Sequence, residues 1–393
     1  MPPAGTDRGG GDLEYSGAPM RSAWSSRSRS ARGGCCLAWL LAAASLACSD
    51  GELGIAGPES GGLVFVRQQG GNADLMRARL SDGSVARITR TPGREEHWPY
   101  WSSLAGRVVF QVRPYGPSLM VDLRLWDPVS GEEAALTETA RRDERWPAWS
   151  PSAPELAYVF KNLRGPSGVA LYSLETKRTQ VVAESTPRDP FVRPAYAPDG
   201  RRLVAERRTR DRHALLWLLE PGQPPRPLTE GQEQIDGKAS FARDGASLVF
   251  TRRSSRDAPA DLARLDLSTG EVTLLASLPE SDDHSGRLSP ARDELAFVSD
   301  RDGSEDIFLV DLPDGVPRNL TRTPDLHEGA PHWSPGGETM VILRFPRRAP
   351  AAGESRDRIR PDPETARIAV IDRSGRLLFE THGTMADWMP AWP

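Results

Sequence analysis

Residues 294–335, ELAFVSDRDGSEDIFLVDLPDGVPRNLTRTPDLHEGAPHWSP, hold four candidate strands in about forty residues. LAFVS (295–299) is a short apolar run and DGSED a turn. DIFLVDL (306–312) is an alternating strand, PDG a second turn, RNLT (318–321) a third strand and APHWSP (330–335) a fourth. Apolar or alternating runs of this length, bounded by Gly, Pro and Asp, predict strands joined by tight turns.

The same order of markers recurs from residue 62 to the C-terminus. The first strand returns at Leu63, Val108, Leu156, Leu203, Leu248, Leu295 and Met340, every 45 to 48 residues. The second returns as ADLMRARL, LRLWD, VALYSL, ALLWLLE, ADLARLDL, DIFLVDL and RIAVID. An LT-like third strand is clearest at Leu136-Thr137, Leu228-Thr229 and Leu320-Thr321. The fourth marker is an anchor after a proline: Trp101, Trp149, Tyr196, Phe241, the non-aromatic Leu288, Trp333 and Trp392. A period of this size holding four strands predicts an all-β fold, a β-propeller of four-stranded antiparallel blades. Seven copies of each marker predict seven blades, with six as the alternative.

Pro331-His332-Trp333-Ser334-Pro335-Gly336-Gly337 and Ser299-Asp300-Arg301-Asp302-Gly303 resemble the hallmarks of the TolB-type, WD40-like (PD40) propeller repeat. The resemblance covers residues 62–393. It implies that the Pro-x-Trp-Ser strand is the innermost of each blade, so that Met389-Pro390-Ala391-Trp392 would complete the first blade and close the ring, hiding two sheet edges. Fold does not fix activity. Propellers of this type include envelope proteins that bind a protein partner, oligogalacturonate-lyase-like enzymes in which a histidine cluster holds a divalent metal, and the lid domains of prolyl-oligopeptidase-like peptidases. The last carry a following α/β-hydrolase domain with G-x-S-x-G, and no such motif occurs here.

The chain has 393 residues, 38% hydrophobic and 26% charged, with a net charge of −4. That balance excludes a basic nucleic-acid binder, and 36 Gly with 35 Pro argue against a helical protein. All three cysteines, Cys35, Cys36 and Cys48, fall near the N-terminus, which leaves no disulfide or cysteine zinc site beyond them. Arg21, Arg27, Arg29 and Arg32 precede the apolar run 35–47, CCLAWLLAAASLA. A helix of that length reaches about 20 Å, short of a membrane span, so residues 1–47 read as an export signal, with Met20 a plausible start of its own. Ser45-Leu46-Ala47-Cys48 resembles a bacterial lipoprotein signal, which makes Cys48 the lipidation candidate; the alternative is a secretory signal cut near Ala47. Residues 48–61 read as a flexible tether, and 344–366 as an inserted loop, either solvated or a docking arm.

Five residues before the anchors stand Glu96, Glu144, Phe191, Asp236, Asp283, Glu328 and Asp387, and the companion loops are basic. Either these acids pair across neighbouring blades and cap loop ends, or they form a ring at the channel mouth that attracts a cation or a basic peptide. His97, His284, His327 and His332 lie beside the same segments and are the candidates for a metal, although none shows the close spacing of a zinc motif. The sequence therefore reads as a non-enzymatic, exported, monomeric scaffold that needs no cofactor, a divalent cation being the one candidate. It would be lipid-anchored at the periplasmic face of the outer membrane or another envelope surface and bind an envelope protein or peptide through its acidic channel face. The alternative is a metal-dependent enzyme acting on oligosaccharides.

Overall fold

The structure is a computed structural model that describes residues 61–115, 120–139, 141–211, 213–231, 233–347 and 362–390. The export signal, Cys48, almost all of the tether, Trp392 and most of the 344–366 insertion lie outside the described residues. No helix occurs among those described. In chain order the strands are β1 (Gly62–Gln69), β2 (Asn72–Arg79) and β3 (Val85–Arg87); β4 (Arg94–Ser102), β5 (Arg107–Pro114), β6 (Asp122–Trp126) and β7 (Glu133–Ala135); β8 (Arg142–Trp149), β9 (Glu155–Asn162), β10 (Ser167–Ser173) and β11 (Arg178–Ser185). They continue as β12 (Phe191–Tyr196), β13 (Leu203–Arg208), β14 (Ala214–Leu219) and β15 (Arg226–Pro227); β16 (Ile235–Phe241), β17 (Ser247–Arg253), β18 (Asp261–Asp266) and β19 (Val272–Ala276). The last are β20 (Asp283–Leu288), β21 (Glu294–Ser299), β22 (Asp306–Asp311) and β23 (Arg318–Asn319); β24 (Leu326–Trp333), β25 (Thr339–Pro346), β26 (Arg367–Asp372) and β27 (Leu377–His382); and β28 (Thr384–Met389).

Sets β4–β7, β8–β11, β20–β23 and β24–β27 are four-stranded sheets in chain order. Sets β12–β15 and β16–β19 have the same order and are joined into one sheet by a single parallel pair, Ala214 with Ile235. The first sheet runs β28-β1-β2-β3, with Leu63 opposite Trp388 and Val64 opposite Asp387. Every pairing within a set is antiparallel.

Strands β21 and β22 are buried at nearly every residue, because a sheet with neighbours on both faces has no solvent side and so needs a continuous apolar run. The outermost strands β3, β7 and β15 are short and exposed, which limits the unpaired edge those sets present. Each hydrophobic cluster joins two sets. Val64, Leu75 and Met389 pack with Val108, Phe110 and Trp126, and Ala296, Ile307 and Leu309 with Trp333, Ile342 and Ile371. The set β24–β27 packs in turn on β1 and β2, through Val341, Ile368, Val370 and Phe379 against Leu63, Phe65 and Met76.

The anchors explain why Trp recurs. The indole N–H of Trp149 donates to the carbonyl of Tyr100 (2.9 Å), that of Trp333 to Arg287 (3.0 Å) and that of Trp388 to His332 (2.9 Å). One side chain thus fills the gap between two sets and ties their first strands together. Three residues before each anchor the backbone enters the left-handed region at a β-bulge: Trp98, Trp146, Arg193, Lys238, Ser285, Ala330 and Met385 all have φ between 49° and 56°. These markers correct the last repeat. Its anchor is Trp388, not Trp392, so Gly383 occupies the pre-anchor acidic position. Asp387 stands one residue before the anchor, the place held by Tyr100, Arg287 and His332 elsewhere.

Candidate functional site

The five remaining pre-anchor acids come together as one repeated position, but away from solvent. Glu96, Glu144, Asp236, Asp283 and Glu328 are all buried. Their backbone N–H groups reach back to the preceding set, Glu144 to Val121 O (2.8 Å), Asp283 to Ala260 O (2.7 Å) and Glu328 to Glu305 O (2.8 Å). Each carboxylate has at least one partner, although one oxygen of Glu144 and one of Glu328 are buried without a hydrogen bond. Asp236 accepts both arms of Arg252 at 2.9 Å, Asp283 both contacts of Arg301 at 2.9 and 3.0 Å, and Glu328 the Nε of Arg344 at 2.9 Å. Glu96 accepts from Thr89 (3.1 Å), Thr91 and Arg94 (2.9 Å), and Glu144 from Thr139 (2.8 Å). The LT marker belongs to this arrangement: the hydroxyls of Thr89, Thr137, Thr229 and Thr321 accept the N–H of Leu75, Leu123, Leu216 and Ile307. The expected open acidic ring is therefore buried: the arginines of Asp236, Asp283 and Glu328 come from the same set, on or just after its second strand, while the backbone N–H groups of Glu144, Asp283 and Glu328 reach the preceding set, and such partners lower the cost of a buried carboxylate.

Burial pushes the carboxyl groups of Glu96, Asp283 and Glu328 up, and that of Glu144 up to about 7, because a single hydroxyl bond and Arg142 at 4.0 Å offset little of its desolvation. A folded pKa above the unfolded value means that Glu144 favours the fold when protonated, below about pH 4.5. That contribution is lost as pH rises toward 7. Glu144→Gln, which keeps the neutral form, is expected to be more stable than wild type by about 1–3 kcal/mol at pH 8, with the gap closing by pH 5. Urea denaturation at the two pH values checks this, and an equal gap at both would refute it.

The bulge residues, three positions before the anchors, are held at their backbone. Their N–H groups are held by side chains of the preceding set: Lys238 N by Glu206 (2.8 Å), Ser285 N by Thr251 (3.2 Å) and Trp146 N by Gln111 (3.4 Å). Their own side chains are left for other contacts, and Trp98 is 45% exposed. First strands from several sets converge on a cavity of about 790 Å3 whose wall includes Trp101, Ser240, Arg287, His332 and Asp387. Asp387 accepts from Trp101 N (2.7 Å) and faces His332 Nδ1 at 3.1 Å.

The histidines divide into three places. His97 pairs with Glu95 at 3.1 Å, and Glu95 also holds Arg113. His332 pairs with Asp387. Only His284 and His327 meet, on either side of Glu305 at 3.5 and 3.2 Å, with His327 stacked on Phe345. Burial alone would raise Glu305, but the hydrogen bonds and charges of the two histidines bring it down to about 2. Among the described residues no group of three or more His, Cys, Asp and Glu is placed to hold a metal ion.

The TolB beta propeller domain matches residues 130–344, more than half of the chain. The chain belongs to that family. No curated protein matches it. The solved structures similar to this TolB-type chain include an oligogalacturonate lyase in complex with manganese, with TM-score 0.57 and 14% identity over 72% of this chain and 82% of the other. Another is a puromycin-hydrolyzing peptidase from Mycobacterium tuberculosis, with TM-score 0.60 and 14% identity over 80% of this chain and 52% of the other, so that the TolB-type chain corresponds to about half of that peptidase. A putative TolB from Agrobacterium tumefaciens matches with TM-score 0.49 and 19% identity over 66% of this chain and 88% of the other. At these identities the neighbours share the fold with this TolB-type propeller. The first-strand cations Arg193, Lys238 and Arg287 were not among the residues singled out by sequence; their signal is position, three or one residue before an anchor.

Proposed function

We propose that this TolB-type chain is a non-enzymatic, exported binding ring of seven blades, closed by β28 and held at an envelope membrane by a lipid on Cys48. Its partner is a protein or peptide of the cell envelope, met at the face where the first strands enter. The observation that carries this reading is the set of bulge positions, whose backbone is fixed by the fold while side chains such as Trp98 and Arg193, 45% and 43% exposed, are turned outward. Exposed tryptophan and arginine are the side chains that most often anchor protein interfaces. Glu96, Glu144, Asp236, Asp283 and Glu328 serve that face from behind, by holding the entry of each first strand. The packing of β24–β27 on β1 and β2, together with the pairing of β28 with β1, supports closure.

Affinity capture from envelope extracts tests the reading, with the chain from Cys48 onward as bait beside Trp98→Ala and a form lacking residues 346–364. A specific envelope protein retained by the first bait and lost by Trp98→Ala is the expected result. Recovery of none by any bait counts against a scaffold.

The second reading is a metal-dependent enzyme on oligosaccharides; of the four candidate histidines only His284 and His327 meet, at Glu305, and that trio is not placed as a metal site. Metal analysis of gently purified protein decides it: stoichiometric divalent metal lost in His284→Ala supports the enzyme, and a content near zero sinks it.

A further inference from the structure

Beside the first-strand cavity lie three cations served by a single carboxylate. Arg193 on β12, Lys238 on β16 and Arg287 on β20 occupy consecutive first strands, at bulge or pre-anchor positions; Arg287 lines the cavity, and Lys238 stands two residues before Ser240 on its wall. One carboxylate, Glu206, serves this group, and it is already crowded. It accepts Arg193 at 3.1 and 3.0 Å, Arg208 at 3.1 Å and the backbone N–H of Lys238 at 2.8 Å. The ammonium of Lys238 donates to Ser285 Oγ (2.9 Å) and the guanidinium of Arg287 to the carbonyl of Gly286 (3.0 Å). Neither forms an ion pair among the described residues. Asp387, the carboxylate on the cavity wall, is taken up by Trp101 N and His332.

A cation drawn out of bulk water without a counter-charge is unfavourable, and the least costly remedy is a bound anion. Burial, then the charges of Arg193, Arg287 and Arg253, bring Lys238 down to about 8, as expected where like charges crowd together. Arg287 adds a planar fork suited to two oxygens of one group. The cavity of about 790 Å3 beside it has the size of a small-ligand site.

We propose that Arg287, Lys238 and Arg193 form an oxyanion-binding site at the axial cavity, which takes a carboxylate or phosphate group. The site shares Arg193 with the partner face proposed above but does not depend on an envelope partner, and it replaces the cation or basic peptide expected from the sequence with a ligand of opposite charge.

Calorimetric titration of the full chain at pH 7 tests it, with citrate and, separately, inorganic phosphate, at constant ionic strength set by sodium chloride. Wild type is compared with Lys238→Met and Arg287→Met, which keep length and lose charge. Saturable binding to wild type, weakened tenfold or more in each variant, is the expected result, with Lys238→Met melting at or above the wild-type temperature because it removes an unpaired cation. A response to citrate alone assigns the site to carboxylates, to phosphate alone to phosphate esters, and to both to either source; each supports the oxyanion site. Absence of saturable binding to both probes overturns it, as does binding to Lys238→Met equal to wild type. Should Arg287→Met not fold, Lys238→Met and Arg193→Met decide.

Discussion

A chain truncated after Gly383 is expected to lose its cooperative unfolding transition. The missing strand, β28, pairs with β1 and puts Trp388 and Met389 into two different hydrophobic clusters. Removing those two side chains alone forfeits about 4–6 kcal/mol of apolar burial. To this must be added the indole bond to His332 and the exposure of Leu63 and Val64, now fully buried. Net stabilities of folded proteins are about 5–15 kcal/mol, so the loss is comparable with the whole. The freed edge of β1 would also be a template for association. Circular dichroism through a thermal ramp, with light scattering, checks both effects. A truncated chain that melts within a few degrees of the full one would show that β28 is dispensable, and would also remove the main support for a closed ring.

Asp236→Ala should rank among the most damaging single substitutions. It leaves the Arg252 guanidinium, half of a two-armed pair and packed over Phe250 at 5.2 Å, without its carboxylate. Breaking a buried pair from one side costs about 3–5 kcal/mol, whereas replacing both partners by apolar groups is often close to neutral. Asp236→Ala with Arg252→Met is therefore expected to recover more than half of the loss. Denaturant titrations of the two singles and the double give the coupling directly. A single-mutant loss below about 1 kcal/mol would mean that water already solvates the pair. At Glu328 the loss should be smaller, since Arg344 keeps Glu380 as a second carboxylate.

The strand order was legible because runs such as LAFVS and DIFLVDL must be apolar throughout when both sheet faces are covered. The last register was not. Two tryptophans close the chain, the final one also follows a proline, and the insertion between Pro346 and Arg367 hides the spacing that would have chosen Trp388. The acidic positions were legible as a pattern, but their burial was not, because charge on a sequence does not say whether a partner lies across the strand. A hint existed: Arg252 follows Asp236, and Arg344 follows Glu328, by the same interval, the length of a hairpin. The bulges left no mark, since no glycine occupies any of the seven positions.

Those seven positions have a consequence for how the family can vary. One backbone conformation, each time three residues before the anchor, accommodates Trp, Arg, Lys, Ser, Ala and Met in a single chain. A left-handed residue carries an energetic penalty whatever its side chain, so identity there changes recognition with little further effect on folding. Mutation can thus rewrite what these positions present one set at a time, like exchanging bits in a fixed chuck, while the sheets that hold them stay the same.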